Sequence, residues 1–252
     1  MYILYKVYQF CVVLPLALVA TFLASLFTIL GCFLGNAHFW GYYPGKCWSW
    51  LICRLLLLPV HVEGREKVDH KQSYVFVANH QGPMDIFLIY GFLGRNFKWM
   101  MKKALRRVFM VGYACEKAGH IFVDKSGPKK IQETIDHARH TLQGGTSLVV
   151  FPEGSRSFTG HMGKFRKGAF QLADELQLPV VPITIDGSFD VLTRMAGFNF
   201  VNWHPMRLII HDPIYPQGKG AVDLQQTMEE AYRVIMAGLP KEYQGYVENK
   251  DQ

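Results

Sequence analysis

From Val7 to Gly45 the chain carries no Asp, Glu, Lys or Arg, and Lys6 and Lys46 bracket the stretch. Its centre, Phe10 to Leu34, is longer than the ~20 apolar residues that span a bilayer core. Such a segment has to be buried in lipid or in protein. It either crosses or bends and returns, with Pro15, Gly31 and Gly35 as candidate bends. A second apolar segment, Trp48 to Leu58, follows at once with Arg54 inside it, and Tyr42, Tyr43, Trp48 and Trp50 fit an interfacial aromatic belt. A cleaved signal peptide is the competing reading, but the run exceeds the usual h-region of ~7 to 15 residues and no small-x-small site closes it. The pattern predicts hydrophobic membrane-anchoring helices over residues 1–60, the second lying along the interface, and an α/β domain over 61–252.

Bulk properties narrow the partners. Lys and Arg outnumber Asp and Glu by 27 to 20, giving +7, which favours anionic lipid, phosphorylated substrates or nucleic acid. Nucleic acid is set aside, because no zinc-finger, homeodomain or RRM signature occurs. The five cysteines include no CxxC pair, and four lie in the apolar N-terminal part, so they read as small buried hydrophobes of a reducing compartment.

Beyond a polar connector from Pro59 to Gln72, strand-like runs appear at Tyr74 to Ala78, Phe97 to Met101, His120 to Val123, Ser147 to Phe151, Val180 to Ile185 and Arg207 to His211. Helical patterns fall between several of them. Pro128 to Gln143 puts Ile131, Ile135, Ala138 and Leu142 on one face, and Asp223 to Ala237 puts Leu224, Met228, Ala231 and Ile235 in a stripe with Asp223 as the cap. A further helix is predicted from Lys167 to Leu176. This alternation predicts an α/β fold, a mixed and largely parallel sheet covered by helices. In such sheets chemistry collects where strand ends meet helix starts.

Two loops have that position. Asn79-His80-Gln81-Gly82-Pro83-Met84-Asp85 leaves one apolar run and enters another, and Gly82-Pro83 stops the strand and opens a helix. On a continuous helix, residues five apart point about 140° from each other. With His80 in the turn and Asp85 in the first helical turn, the carboxylate can instead fold back to the imidazole, as a general base and its orienting acid require. The alternative is a turn-capping His and a first-turn acid favoured by the helix dipole. No serine or cysteine stands beside them as a protein nucleophile, so the proton would come from a substrate hydroxyl. The second loop, Phe151-Pro152-Glu153-Gly154-Ser155-Arg156-Ser157, offers a carboxylate, hydroxyls and a guanidinium able to fork onto a phosphate, or is simply a solvated polar turn.

Basic side chains recur nearby in sequence. Lys164, Arg166 and Lys167 follow the second loop. Lys98, Lys102, Lys103, Arg106 and Arg107 are interleaved with Trp99, Met100, Met101, Leu105 and Phe109, a mixture suited to anionic lipid, and Lys103 is equally able to reach a substrate phosphate. His137 and His140, three apart on a polar helix face, have no evident third metal ligand.

In order through about Tyr74 to Gly187, these residues resemble the 1-acyl-sn-glycerol-3-phosphate acyltransferase (PlsC-like glycerolipid acyltransferase) family. Asn79-His80 with Asp85 resembles its NHxxxxD block. Phe151 to Ser157 resembles FPEGTRS with Ser155 in place of threonine, and Lys103, Leu105, Gly112 and Gly119 to Asp124 resemble the block between. Val180 to Ile183 resembles the last, apolar block. Phe109 stands where that intervening block usually has proline, and Lys125 where it has arginine, which loses the planar fork.

The resemblance implies a glycerol-3-phosphate acyltransferase-like fold and acyl transfer from acyl-CoA or acyl-carrier protein to the sn-2 hydroxyl of lysophosphatidic acid, giving phosphatidic acid. His80 would be the base and Asp85 its partner, with the oxyanion met by N–H groups near Gly82 or Gly154. Arg156, Lys103 and Lys164 would meet the phosphate, and Glu153, Gly154 and Ser155 would shape the glycerol site. It implies no metal and no cofactor beyond the acyl donor, membrane lysolipid and phospholipid as partners, and the cytoplasmic face of a bacterial inner membrane. Another lysolipid or aminolipid acceptor, a lipid or thioester hydrolase, and a non-catalytic lipid-binding protein are the alternatives.

Overall fold

The computed structural model describes residues 2–123, 127–142, 145–194 and 199–247. Helix α1, Tyr2–Leu34, is continuous and interrupted only by a π-turn at Gln9–Val13. Pro15 explains that turn: it has no N–H for the carbonyl four residues earlier, and a widened turn just before it absorbs the misfit. The chain reverses at Gly35–Asn36, where the Asn36 side chain accepts the His38 N–H at 2.8 Å, and returns as α2, Tyr43–Leu55. The two apolar segments thus form a helical hairpin, held by Trp48 Nε1–H donating to Thr21 Oγ1 at 2.9 Å and Tyr8 O–H donating to the Leu55 carbonyl at 2.9 Å.

Strands β1 (Val60–Glu63), β2 (Val75–Ala78), β3 (Phe97–Lys102), β4 (Ile121–Val123), β5 (Ser147–Val150), β6 (Val180–Asp186) and β7 (Met206–Ile210) make one seven-stranded sheet in the order β1-β7-β6-β2-β5-β3-β4. Every neighbouring pair is parallel except β6 with β7. This is the mixed, largely parallel sheet the alternation predicts. β2 and β5 are buried at every position, as strands covered on both faces must be.

Alternation along the strands divides the core. Phe76, Val149, Val181 and Ile183 face one apolar cluster, which also takes Tyr42, Ile52, Cys53, Leu56 and Leu58. Val75, Val77, Leu148, Val150 and Val180 face the other. The first cluster runs without a break across residue 60, because α2 packs on α3, Met84–Phe92, with Trp48 against Phe87 at 4.8 Å between ring centroids. The buried side of the second apolar segment is therefore taken by protein, while Trp50 and Leu51 stay exposed. The other face is covered by α5 (Pro128–Thr141), α6 (Gly168–Leu176) and α8 (Ala221–Gly238); α4, Val111–Lys117, packs on α1, and the short α7, Ser188–Val191, follows β6.

Two readings change. Val60–Glu63, taken as connector, is an edge strand paired with β7. Asp223 is not the cap of α8: Gly220 holds that position, and Asp223 sits in the first turn and accepts the Gln217 N–H at 3.1 Å.

His120, which precedes β4, is buried and its Nδ1 accepts the Trp99 N–H at 3.1 Å. Burial, with Lys98 adding to it, pushes its pKa down to about 3. A depressed histidine stays neutral in the fold while the unfolded chain takes up protons below about pH 6.5, so stability falls as the medium is acidified towards pH 3. The loss at pH 5 amounts to about 2 kcal/mol. Urea midpoints of the detergent-solubilised protein at pH 7.5 and pH 5 will show this difference, and His120→Gln will reduce it.

Candidate active site

β2 and β5 are parallel neighbours, so the turns leaving their C-terminal ends emerge side by side. Asn79 anchors the first turn from below: its amide donates to the Ile185 carbonyl at 2.8 Å and accepts the Ile185 N–H at 2.7 Å, tying the turn to β6. His80 follows, and Pro83 then starts α3 with Asp85 in its first turn.

His80 Nδ1 lies 2.7 Å from Asp85 Oδ2, and the same oxygen accepts the Gly82 N–H at 2.9 Å. Asp85 is wholly buried, while the His80 side chain is 13% exposed. A buried carboxylate next to Nδ1 holds the proton there, which leaves Nε2 as the basic nitrogen. The imidazole is also clamped flat. Phe151 stacks on it at 3.9 Å between centroids and 9° between planes, and Trp99 stacks behind Phe151 at 5.5 Å.

The second turn wraps the first through its main chain. Ser157 N–H donates to the His80 carbonyl at 2.7 Å. Glu153 is buried, its Oε1 accepting the His80 N–H and its Oε2 the Gly163 N–H, both at 2.7 Å. Burial pushes its pKa up to about 8 against the opposing pull of those bonds. The Glu153 carboxylate thus faces inward and joins three loops, where the sequence reading had it shaping the glycerol site.

Gly154 has φ +76°, a left-handed conformation strained for other residues, and a Cβ there would come within 3.0 Å of Arg166 Nε. Arg166 therefore lies over this turn, fixed by its own N–H donating to the Pro152 carbonyl at 2.9 Å. Arg156 lies on the turn itself, and Arg194 reaches it from the β6 side, donating to the Arg156 carbonyl at 3.2 Å and covering the Phe158 ring at 3.9 Å. Among the described residues no carboxylate lies within ion-pair distance of Arg156 or Arg166. The site is a buried acid–imidazole pair next to a turn that carries Arg156 and is covered at Gly154 by the Arg166 side chain.

His80, Asp85, Glu153, Gly154, Ser155 and Arg156 are thus brought together. Lys103 and Lys164 line other grooves: Lys103 one with Arg106, Glu116, Ile121 and His137, Lys164 one with Phe165, Met228 and Tyr232. Arg166, one of the basic residues noted after the second loop, was not singled out as a site residue, because nothing in the run Lys164-Phe165-Arg166-Lys167 tells which cation turns back over Gly154. Of the suggested oxyanion donors, Gly82 N–H is committed to Asp85, and Gly154 N–H to the Phe151 carbonyl at 3.0 Å. No group of three or more His, Cys, Asp or Glu able to hold a metal occurs among the described residues, His137 and His140 included. Lys125 lies outside the described residues.

Comparison with known proteins agrees with this architecture. A family model described as Acyltransferase matches residues 59–186. The chain is similar to a 1-acyl-sn-glycerol-3-phosphate acyltransferase of Saccharomyces cerevisiae, 32% identical over 200 residues, covering 77% of this chain and 64% of the yeast one. A chloroplastic 1-acyl-sn-glycerol-3-phosphate acyltransferase of Brassica napus is 33% identical over 155 residues, 61% of this chain but only 44% of the plant protein. The chain thus spans less than half the length of that plant relative. The crystal structure of the 1-acyl-sn-glycerophosphate acyltransferase PlsC of Thermotoga maritima superposes with a TM-score of 0.71 at 25% identity, covering 89% of this chain and 95% of that one. The chain belongs to the acyltransferase family.

Glu153→Ala will strand the His80 and Gly163 N–H groups, at about 1–3 kcal/mol for each buried donor left without a partner. A lowered urea midpoint relative to wild type will register this; an unchanged midpoint would mean that the carboxylate does not brace the turns.

Proposed function

We propose that this protein transfers an acyl chain from a coenzyme A or acyl-carrier thioester to the sn-2 hydroxyl of lysophosphatidic acid, at the surface of a membrane held by α1. The observation that carries this reading is the 2.7 Å contact between His80 Nδ1 and a buried Asp85. With Nδ1 occupied, Nε2 takes the proton of the acceptor hydroxyl as its oxygen attacks the thioester carbonyl. Asp85 stabilises the imidazolium so formed, and the proton is then passed to the departing thiolate. The C–O bond forms as the C–S bond breaks, and no protein nucleophile is needed.

Arg156 and Arg166 meet the acceptor phosphate, whose double negative charge matches two guanidinium groups better than one. The oxyanion falls to the N–H groups of Ser155 and Arg156, which make no other hydrogen bond among the described residues. One such donor contributes about 3 kcal/mol. The relatives' names give the acceptor; the arginine pair gives this chain the charge to hold it. Support for the membrane comes from the length and apolarity of α1, of which little is buried by protein.

The test is purified protein assayed with a panel of lysolipids and acyl donors, read by product mass. Phosphatidic acid is expected, and free fatty acid without acylated product would identify a hydrolase instead. His80→Ala will lower kcat by roughly 10²- to 10⁴-fold in a folded preparation. Arg156→Ala and Arg166→Ala will chiefly raise KM for lysophosphatidic acid, and less so for an acceptor with a phosphodiester headgroup.

A further inference from the structure

Between β3 and α4 the chain makes a 3-10 turn, Lys103–Arg107, and then a projecting tip. Phe109 at that tip is 87% exposed, the highest value for any large apolar side chain among the described residues, with Leu105 and Val108 beside it at 48% and 47%. We infer that this tip is a second membrane contact, separate from α1, in which Phe109 enters the surface of a bilayer containing anionic lipid.

The tip is built to hold its shape. Met110 is in the left-handed region at φ +56°, a strained conformation for a residue with a side chain. It is held by Gly112 N–H donating to the Val108 carbonyl and Ala114 N–H to the Met110 carbonyl, both at 2.8 Å. Any side chain at position 112 would collide with the Arg106 carbonyl. An aromatic ring presented on so fixed a turn loses little conformational freedom on entering another phase, unlike one on a loose loop.

Charge and continuity point to lipid as the occupant. Lys102, Lys103, Arg106 and Arg107 precede the tip, four cations against two acids at this turn: Glu116, paired with Arg106, and Glu133, which lines the same groove as Lys103. Cations whose aliphatic stems flank an aromatic tip match an anionic headgroup layer over hydrocarbon. Behind the tip, Val111 and Ala114 line one cavity together with Thr21 and Ala24 of α1. The tip therefore stands beside α1, a helix on which Leu18 and Phe22 are also exposed. This contact does not depend on which acceptor is acylated.

The test replaces Phe109 by the photoreactive p-benzoylphenylalanine in the full chain, reconstituted into phosphatidylcholine vesicles with or without about 30 mol% phosphatidylglycerol. The same replacement at exposed Phe22 and at buried Phe92 serves as positive and negative control. On irradiation, position 109 is expected to give adducts carrying the mass of a phospholipid, with a yield at least about threefold higher in the anionic vesicles. Lipid adducts at position 22 but none at 109 would overturn the inference, as would an adduct to a second protein chain. Equal yields in both vesicles would remove the anionic preference.

Discussion

A single buried carboxylate governs the geometry of the site. Glu153 receives one N–H from the turn that carries the imidazole and one from the loop that follows the guanidinium turn. Each contact is a main-chain N–H bond to a side chain buried away from water, where such bonds are strongest and least dispensable. Three loops are thereby tied together through one side chain. The His80 imidazole has a fixed main chain as well as a fixed ring, since Phe151 from the Glu153 turn lies flat against it.

The sheet makes this possible at little cost. Adjacent parallel strands end on the same side, so β2 and β5 deliver their turns next to each other without a crossover, while β6 supplies the Asn79 anchor from the opposite flank. This is the crevice at strand C-terminal ends where open α/β sheets bind ligands. His80, Asp85 and the turn that carries Arg156 lie there. The helical hairpin stays on the apolar face, fused to the sheet through α2 and α3.

How far sequence reading reaches follows the range of the forces involved. The His80–Asp85 pairing was legible because it is local: a proline-started helix and a spacing of five residues leave one way for the two side chains to meet. The central strands were legible because burial on both faces makes them continuously apolar. β1 was not, because Val60-His61-Val62-Glu63 is short, alternates in exposure and exists by pairing with a strand far away in the chain. Position over Gly154 was decided in the same non-local way. Arg166 is fixed by a main-chain bond to Pro152 and Lys164 faces α8, a division no composition or period records. The committed N–H groups of Gly82 and Gly154 likewise depend on how each turn closes.

Gln9 sits buried in the π-turn of the first helix, its amide donating to the Val201 carbonyl and accepting the Val201 N–H, both at 2.8 Å. A reciprocal pair of this kind works as a rivet between the long apolar rod and the segment leading into β7. The rod cannot swivel about its hairpin independently of the sheet. Whatever layer takes up the rod thus receives the imidazole at one depth and one tilt, like a gauge set in advance of any encounter with substrate.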